Sequence, residues 1–123
     1  MSDELSKLPP NVQERLLRLQ QLQQTLQSIL AQKQQVEMEK TEVEQTIAEL
    51  QKTAEDAVIY KAIGSLLIKA EKPKVNEDLV ERKELLDTRS TVLARQEERM
   101  RSQIKEAQTK LQEDLSPVSQ PSS

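Results

Sequence analysis

The chain has 123 residues, with 18 Lys and Arg against 21 Asp and Glu, for a net charge of −3. It has no His, no Cys, one Gly and a single aromatic residue, a Tyr, which excludes a thiolate nucleophile, an imidazole base, a zinc site of the usual N/S kind and a glycine-rich phosphate loop. So few aromatics cannot easily fill a compact core, and abundant Gln, Glu, Leu, Lys and Arg point instead to long helices and a coiled coil. No catalytic residue, metal ligand or cofactor is expected, and the chain is not read as an enzyme.

Residues 1–11 read as an N-terminal extension ending in a helix start signal. Pro10 biases Pro9 away from helical geometry, and Asn11 with Glu14 has the spacing of a capping box. A strict alternation of three- and four-residue steps from Val12 lands on Arg15, Leu19, Leu22, Leu26, Ile29, Lys33, Val36, Lys40, Val43, Ile47, Leu50, Ala54 and Ala57. All but three of these positions are apolar, where chance would place about five. The pattern predicts a coiled-coil helix over 12–57, about 65–70 Å long.

The period then changes. Residues 58–69 are rich in β-branched and aliphatic side chains and contain the only Tyr and the only Gly. Gly64-Ser65 suits a two-residue type II′ turn that would pair Ile63 with Leu66, Lys61 with Ile68 and Tyr60 with Lys69. The alternative is a helical continuation ending at Gly64. As a hairpin, the segment would carry Val58, Tyr60, Ala62, Leu66 and Ile68 on one face and Ile59, Ile63 and Leu67 on the other. Two isolated strands are marginal in water, so apolar faces and open edges call for other subunits. The residues expected to carry oligomerisation are Val58, Ile59, Tyr60, Ile63, Gly64, Leu66, Leu67 and Ile68.

Residues 70–76 read as a linker ending in Asn76 as a cap, with Val75 and Val80 as a hydrophobic staple. The stepping pattern resumes through Leu79, Lys83, Leu86, Ser90, Leu93, Glu97, Met100, Ile104, Ala107 and Leu111, predicting a second helix over 77–115. Residues 116–123 form a polar, proline-broken tail expected to be disordered. A tight hairpin makes the helices antiparallel. If residue 56 faces residue 77, Ile29 lies near Ile104 and Leu22 near Leu111. Lys33 and Lys40 then flank Glu97 in the seam, unless these long side chains simply reach out to water. The same register leaves Val12, Leu16, Leu17 and Leu19 beyond or at the end of the pair, as an adaptable apolar grip or as ordinary fraying. No apolar run approaches a membrane span, and the start lacks the regions of a signal peptide. The acidic balance argues against nucleic acid.

Leu8-Pro9-Pro10-Asn11-Val12-Gln13, the Gln-rich stretch from Gln20 to Gln35, the run from Ile59 to Lys69, and Glu81-Arg82-Lys83-Glu84-Leu85-Leu86 together resemble the β-type subunit of the prefoldin family. The resemblance covers nearly all of the chain except the Ser/Pro tail. It implies a mainly α fold: a long antiparallel two-helix coiled coil whose single hairpin joins an oligomeric β-barrel platform. It implies partners as well: two α-type with four β-type subunits, non-native client proteins held without ATP, and a group II chaperonin that receives them, all in the cytoplasm. Carried onto this sequence, the client grip would involve Val12, Leu16, Leu19, Ile104, Leu111 and Leu115. The alternative function is a coiled-coil scaffold or adaptor that only spaces partners.

Overall fold

A computed structural model describes residues 7–115; the expected disordered tail lies outside the described residues. The elements run α1 (Pro10–Gln51), β1 (Ile59–Ile63), β2 (Leu66–Ala70) and α2 (Lys72–Leu115). The chain divides into two units. A terminal unit contains residues up to 32 and from 93 onward, and a hairpin unit contains residues 33–92. Both helices contribute to both units.

Helix α1 starts at Pro10, whose missing N–H is one of the donors a first turn leaves unsatisfied anyway. The Pro9 carbonyl accepts from the N–H groups of Val12 (3.0 Å) and Gln13 (3.1 Å), so Asn11 is helical rather than the expected cap. Gln13 Nε2 donates to the Leu8 carbonyl at 2.7 Å. The far end comes earlier than the expected residue 57. Thr53 donates both its N–H (3.1 Å) and its hydroxyl (2.6 Å) to the Leu50 carbonyl, tightening the last turn. Ala54 and Ala57 continue the apolar pattern formally, but they carry too little side chain to hold a helix together by packing.

The hairpin has the expected pairing throughout: Ile59 with Ala70, Tyr60 with Lys69, Lys61 with Ile68, Ala62 with Leu67 and Ile63 with Leu66. Gly64 sits at φ +59° and Ser65 has negative φ, the combination of a type II′ turn. Cross-strand partners share a face. One face therefore carries Ile59, Lys61, Ile63, Leu66, Ile68 and Ala70, and the other carries Tyr60, Ala62, Leu67 and Lys69. Leu66, Ile68 and Leu67 are thus exchanged between faces relative to the sequence reading, because the two-residue turn pairs odd with even positions.

Helix α2 also starts early, at Lys72, so there is no linker over 70–76 and Asn76 is not a cap. Pro73 begins this helix instead of preceding it, and the Val75 N–H donates to the Glu71 carbonyl at 3.0 Å.

Every stepping position from Val12 to Leu50 and from Leu79 to Leu111 is buried or half-buried. In the terminal unit Leu22, Leu26 and Ile104 form a cluster flanked by Leu19, Leu30, Met100 and Ala107. In the hairpin unit the buried residues include Val36, Leu50 and Leu86. The helices are antiparallel in both units, but the register differs from the expected one. Ile104 packs on Leu22 and Leu26, nearer the start of α1 than Ile29, and Asp114 meets Arg15 where the expected register faces it to residue 19, about one turn further on. The expected register rested on residue 77 as the start of the second helix. With α2 starting at Lys72, the pairing slides and Arg15, near the start of α1, gains Asp114 as its partner.

Candidate interaction surfaces

The hairpin is the most exposed apolar surface of its unit. Leu67 is 71% exposed, Leu66 63% and Tyr60 59%, and Val58, Ile63 and Ile68 are also exposed. Ile59 is half-buried and Gly64 lies open at the turn. The sheet has two strands, so one edge of each strand is unpaired among the described residues. Apolar groups on both faces of a two-stranded hairpin leave it marginal in water on its own.

Lysines hold the base of the hairpin. Lys72 Nζ donates to the Thr53 carbonyl at 2.8 Å and pairs with Glu55 at 3.5 Å. Lys61 of β1 lies 3.6 Å from Asp78 of α2, which also holds Lys74 at 3.2 Å. The Asp78 hydrogen bond raises the pKa of Lys74. Lower in this unit Lys40 pairs with Asp87 at 3.1 Å, Arg82 with Glu39 at 2.8 Å, and Ser90 donates to Glu37 at 2.9 Å. The Asp87 bond raises the pKa of Lys40 against a smaller opposing effect of burial, with Glu37 and Glu44 adding to the rise. Lys40 is therefore committed to Asp87, not to the expected Glu97, which accepts from Arg101 at 2.8 Å. Lys61, Lys72 and Asp78 were not singled out from sequence, since partners so far apart in the chain carry no local signal.

The terminal unit is more closed than the sequence suggests. Val12 is only 2% exposed, Leu111 and Ile104 are buried, and Leu16 and Leu19 are half-buried. Among the described residues of this unit, the large apolar groups left open are Leu17 at 59% and Leu115 at 51%. Leu17 falls between the stepping positions Arg15 and Leu19 and so lies off the seam. A groove of about 470 Å³ runs between the helices here, with Leu22 and Ala107 beside Arg18, Gln103, Glu106 and Lys110. Arg15 and Asp114 form an ion pair across the helix ends. Among the described residues no cluster of His, Cys, Asp or Glu could hold a metal ion, and no helix is long and apolar enough to cross a membrane.

A two-helix coiled coil bearing one exposed apolar hairpin belongs to the class of coiled-coil proteins that act as subunits of a larger assembly. A family model described as "Prefoldin subunit" matches residues 13–117, and the chain belongs to the prefoldin family. It is 44% identical over 113 residues to prefoldin subunit beta of Archaeoglobus fulgidus, covering 92% of this chain and 97% of the relative. It is 44% identical over 109 residues to prefoldin subunit beta of Methanothrix thermoacetophila, covering 89% and 91%. The crystal structure of the prefoldin beta subunit from Thermococcus strain KS-1 superimposes with a TM-score of 0.78 at 38% identity, covering 86% of this chain and 93% of that one. The function is that of a prefoldin chaperone subunit of β type, which assembles with other prefoldin subunits.

Proposed function

We propose that this subunit joins four β-type and two α-type chains through its hairpin and holds non-native proteins at the ends of its coiled coil. It works without ATP, without a cofactor and without catalysis, in the cytoplasm, and passes its clients to a group II chaperonin. The observation that carries the client site is the pair of large apolar side chains, Leu17 and Leu115, more than half exposed in the terminal unit. The further candidates in the same unit are Val12, Leu16, Leu19, Ile104 and Leu111. Amphipathic side-chain stems lining the adjacent groove would let the site accept varied sequences.

The test is suppression of aggregation of an unrelated unfolded protein at equal oligomer concentration. Leu17→Ser combined with Leu115→Ser should weaken suppression several-fold while leaving the sedimentation of the oligomer unchanged. Full suppression by this variant would move the grip away from the helix ends. No suppression by the parent assembly would favour a scaffold or adaptor role.

A further inference from the structure

We propose that the Arg15–Asp114 ion pair is a latch that keeps the apolar seam of the terminal unit closed, an inference that rests on the reading of this unit as the client site. Arg15 holds a seam position of α1, and Asp114 lies one residue before the end of α2, so the pair ties the two helices together where they end. Val12 and Leu111, both buried, each lie three residues from a latch residue on the same helix. Parting of the helix ends would open both to a client.

Electrostatics makes the pair a conditional lock. Asp114 Oδ2 is shut off from solvent and accepts no hydrogen bond, so the Arg15 guanidinium is its compensating charge. Removing that cation leaves the partly exposed Asp114 carboxylate without its counter-charge, so it gains by turning toward water. Parting the helix ends admits the water and exposes Val12 and Leu111 in the same movement. Arg15 itself is partly solvated, so the lock is modest and can open thermally. A client that covers the opened seam replaces the apolar burial that opening gives up.

The chain has no cysteine, so Val12→Cys in the full assembly reports opening through its rate of alkylation by iodoacetamide. Adding Arg15→Gln should raise that rate about two- to tenfold. The charge exchange Arg15→Asp with Asp114→Arg should return it to the parent rate. Salt raised from about 0.05 to about 0.5 M should speed labelling in the parent but not in Arg15→Gln. Leu26→Cys, placed in the middle of the unit, should label at one rate in both backgrounds. An unchanged Val12→Cys rate in Arg15→Gln, or an equal rise at Leu26→Cys, overturns the latch. Aggregation suppression by Arg15→Gln should rise along with labelling. Faster labelling with unchanged suppression would keep the latch and reject the seam as the client site.

Discussion

Gly64 shows how one residue decides a turn. Its φ of +59° is a conformation that L side chains adopt at a cost of roughly 1–2 kcal/mol, and a Cβ added there would meet nothing within 4 Å. The penalty for Gly64→Ala is therefore a backbone penalty alone, about 1–2 kcal/mol. It should appear as a higher concentration midpoint for dissociation of the oligomer. Lys40 illustrates a charge set by its partner. The Asp87 hydrogen bond favours the ammonium in the folded chain and raises its pKa above the ordinary 10.5. The stabilisation is complete below that ordinary value and is lost as pH rises through the higher folded value. Between about pH 9 and pH 12, the melting temperature of the parent should fall further than that of Lys40→Gln.

At the scale of elements, each unit rests on a narrow seam. Leu22, Leu26 and Ile104 meet in one cluster, so truncating any one leaves a cavity with few neighbours to close it. Ile104→Ala should destabilise the coil by about 2–4 kcal/mol, read from urea unfolding followed by helical circular dichroism. The hairpin differs, because its apolar side chains are open in the single chain and, on the proposed function, would be covered by assembly. Ile63 and Leu67 lie on opposite faces. Ile63→Asp and Leu67→Asp, made singly, ask which face is buried against other subunits, since burying an uncompensated charge is strongly unfavourable. At least one should abolish the oligomer by sedimentation while helicity stays within about a tenth of the parent. Intact oligomers from both variants would place the subunit interface elsewhere.

For the whole molecule, the two units have complementary roles in the proposed chaperone. Leu17 and Leu115 are each only partly available for contact, and full burial of such a side chain is worth about 1.5–3 kcal/mol. A single terminal unit should therefore bind a client weakly. Linked units raise apparent affinity by about 10²–10⁴ through effective concentration. A hairpin variant that no longer assembles should accordingly lose most of its aggregation suppression per chain, although its terminal residues are untouched. Equal suppression by dissociated subunits and by the assembly would show that avidity plays no part.

Periodicity determined much of this protein in advance. The positions stepping from Val12 to Leu50 and from Leu79 to Leu111 all lie in the seam, because a 3.5-residue apolar repeat has one way to bury itself. Gly64-Ser65 set the hairpin pairing because few two-residue turns match strand twist. Leu8 to Gln13, the hairpin run and the start of the second helix were enough to indicate the prefoldin family. The helix ends were not legible. Thr53 ends α1 through a hydroxyl bond to Leu50, and Pro73 opens α2, although both residues also fit a loop. An antiparallel register depends on those ends, so a small shift at residues 51 and 72 moved Ile104 onto Leu22 and Leu26. The same shift brought Arg15 to Asp114. Only the tertiary structure could decide that Val12 is closed, because its place in the apolar repeat sets the side of α1 it occupies but not whether the pairing reaches that far along the helix.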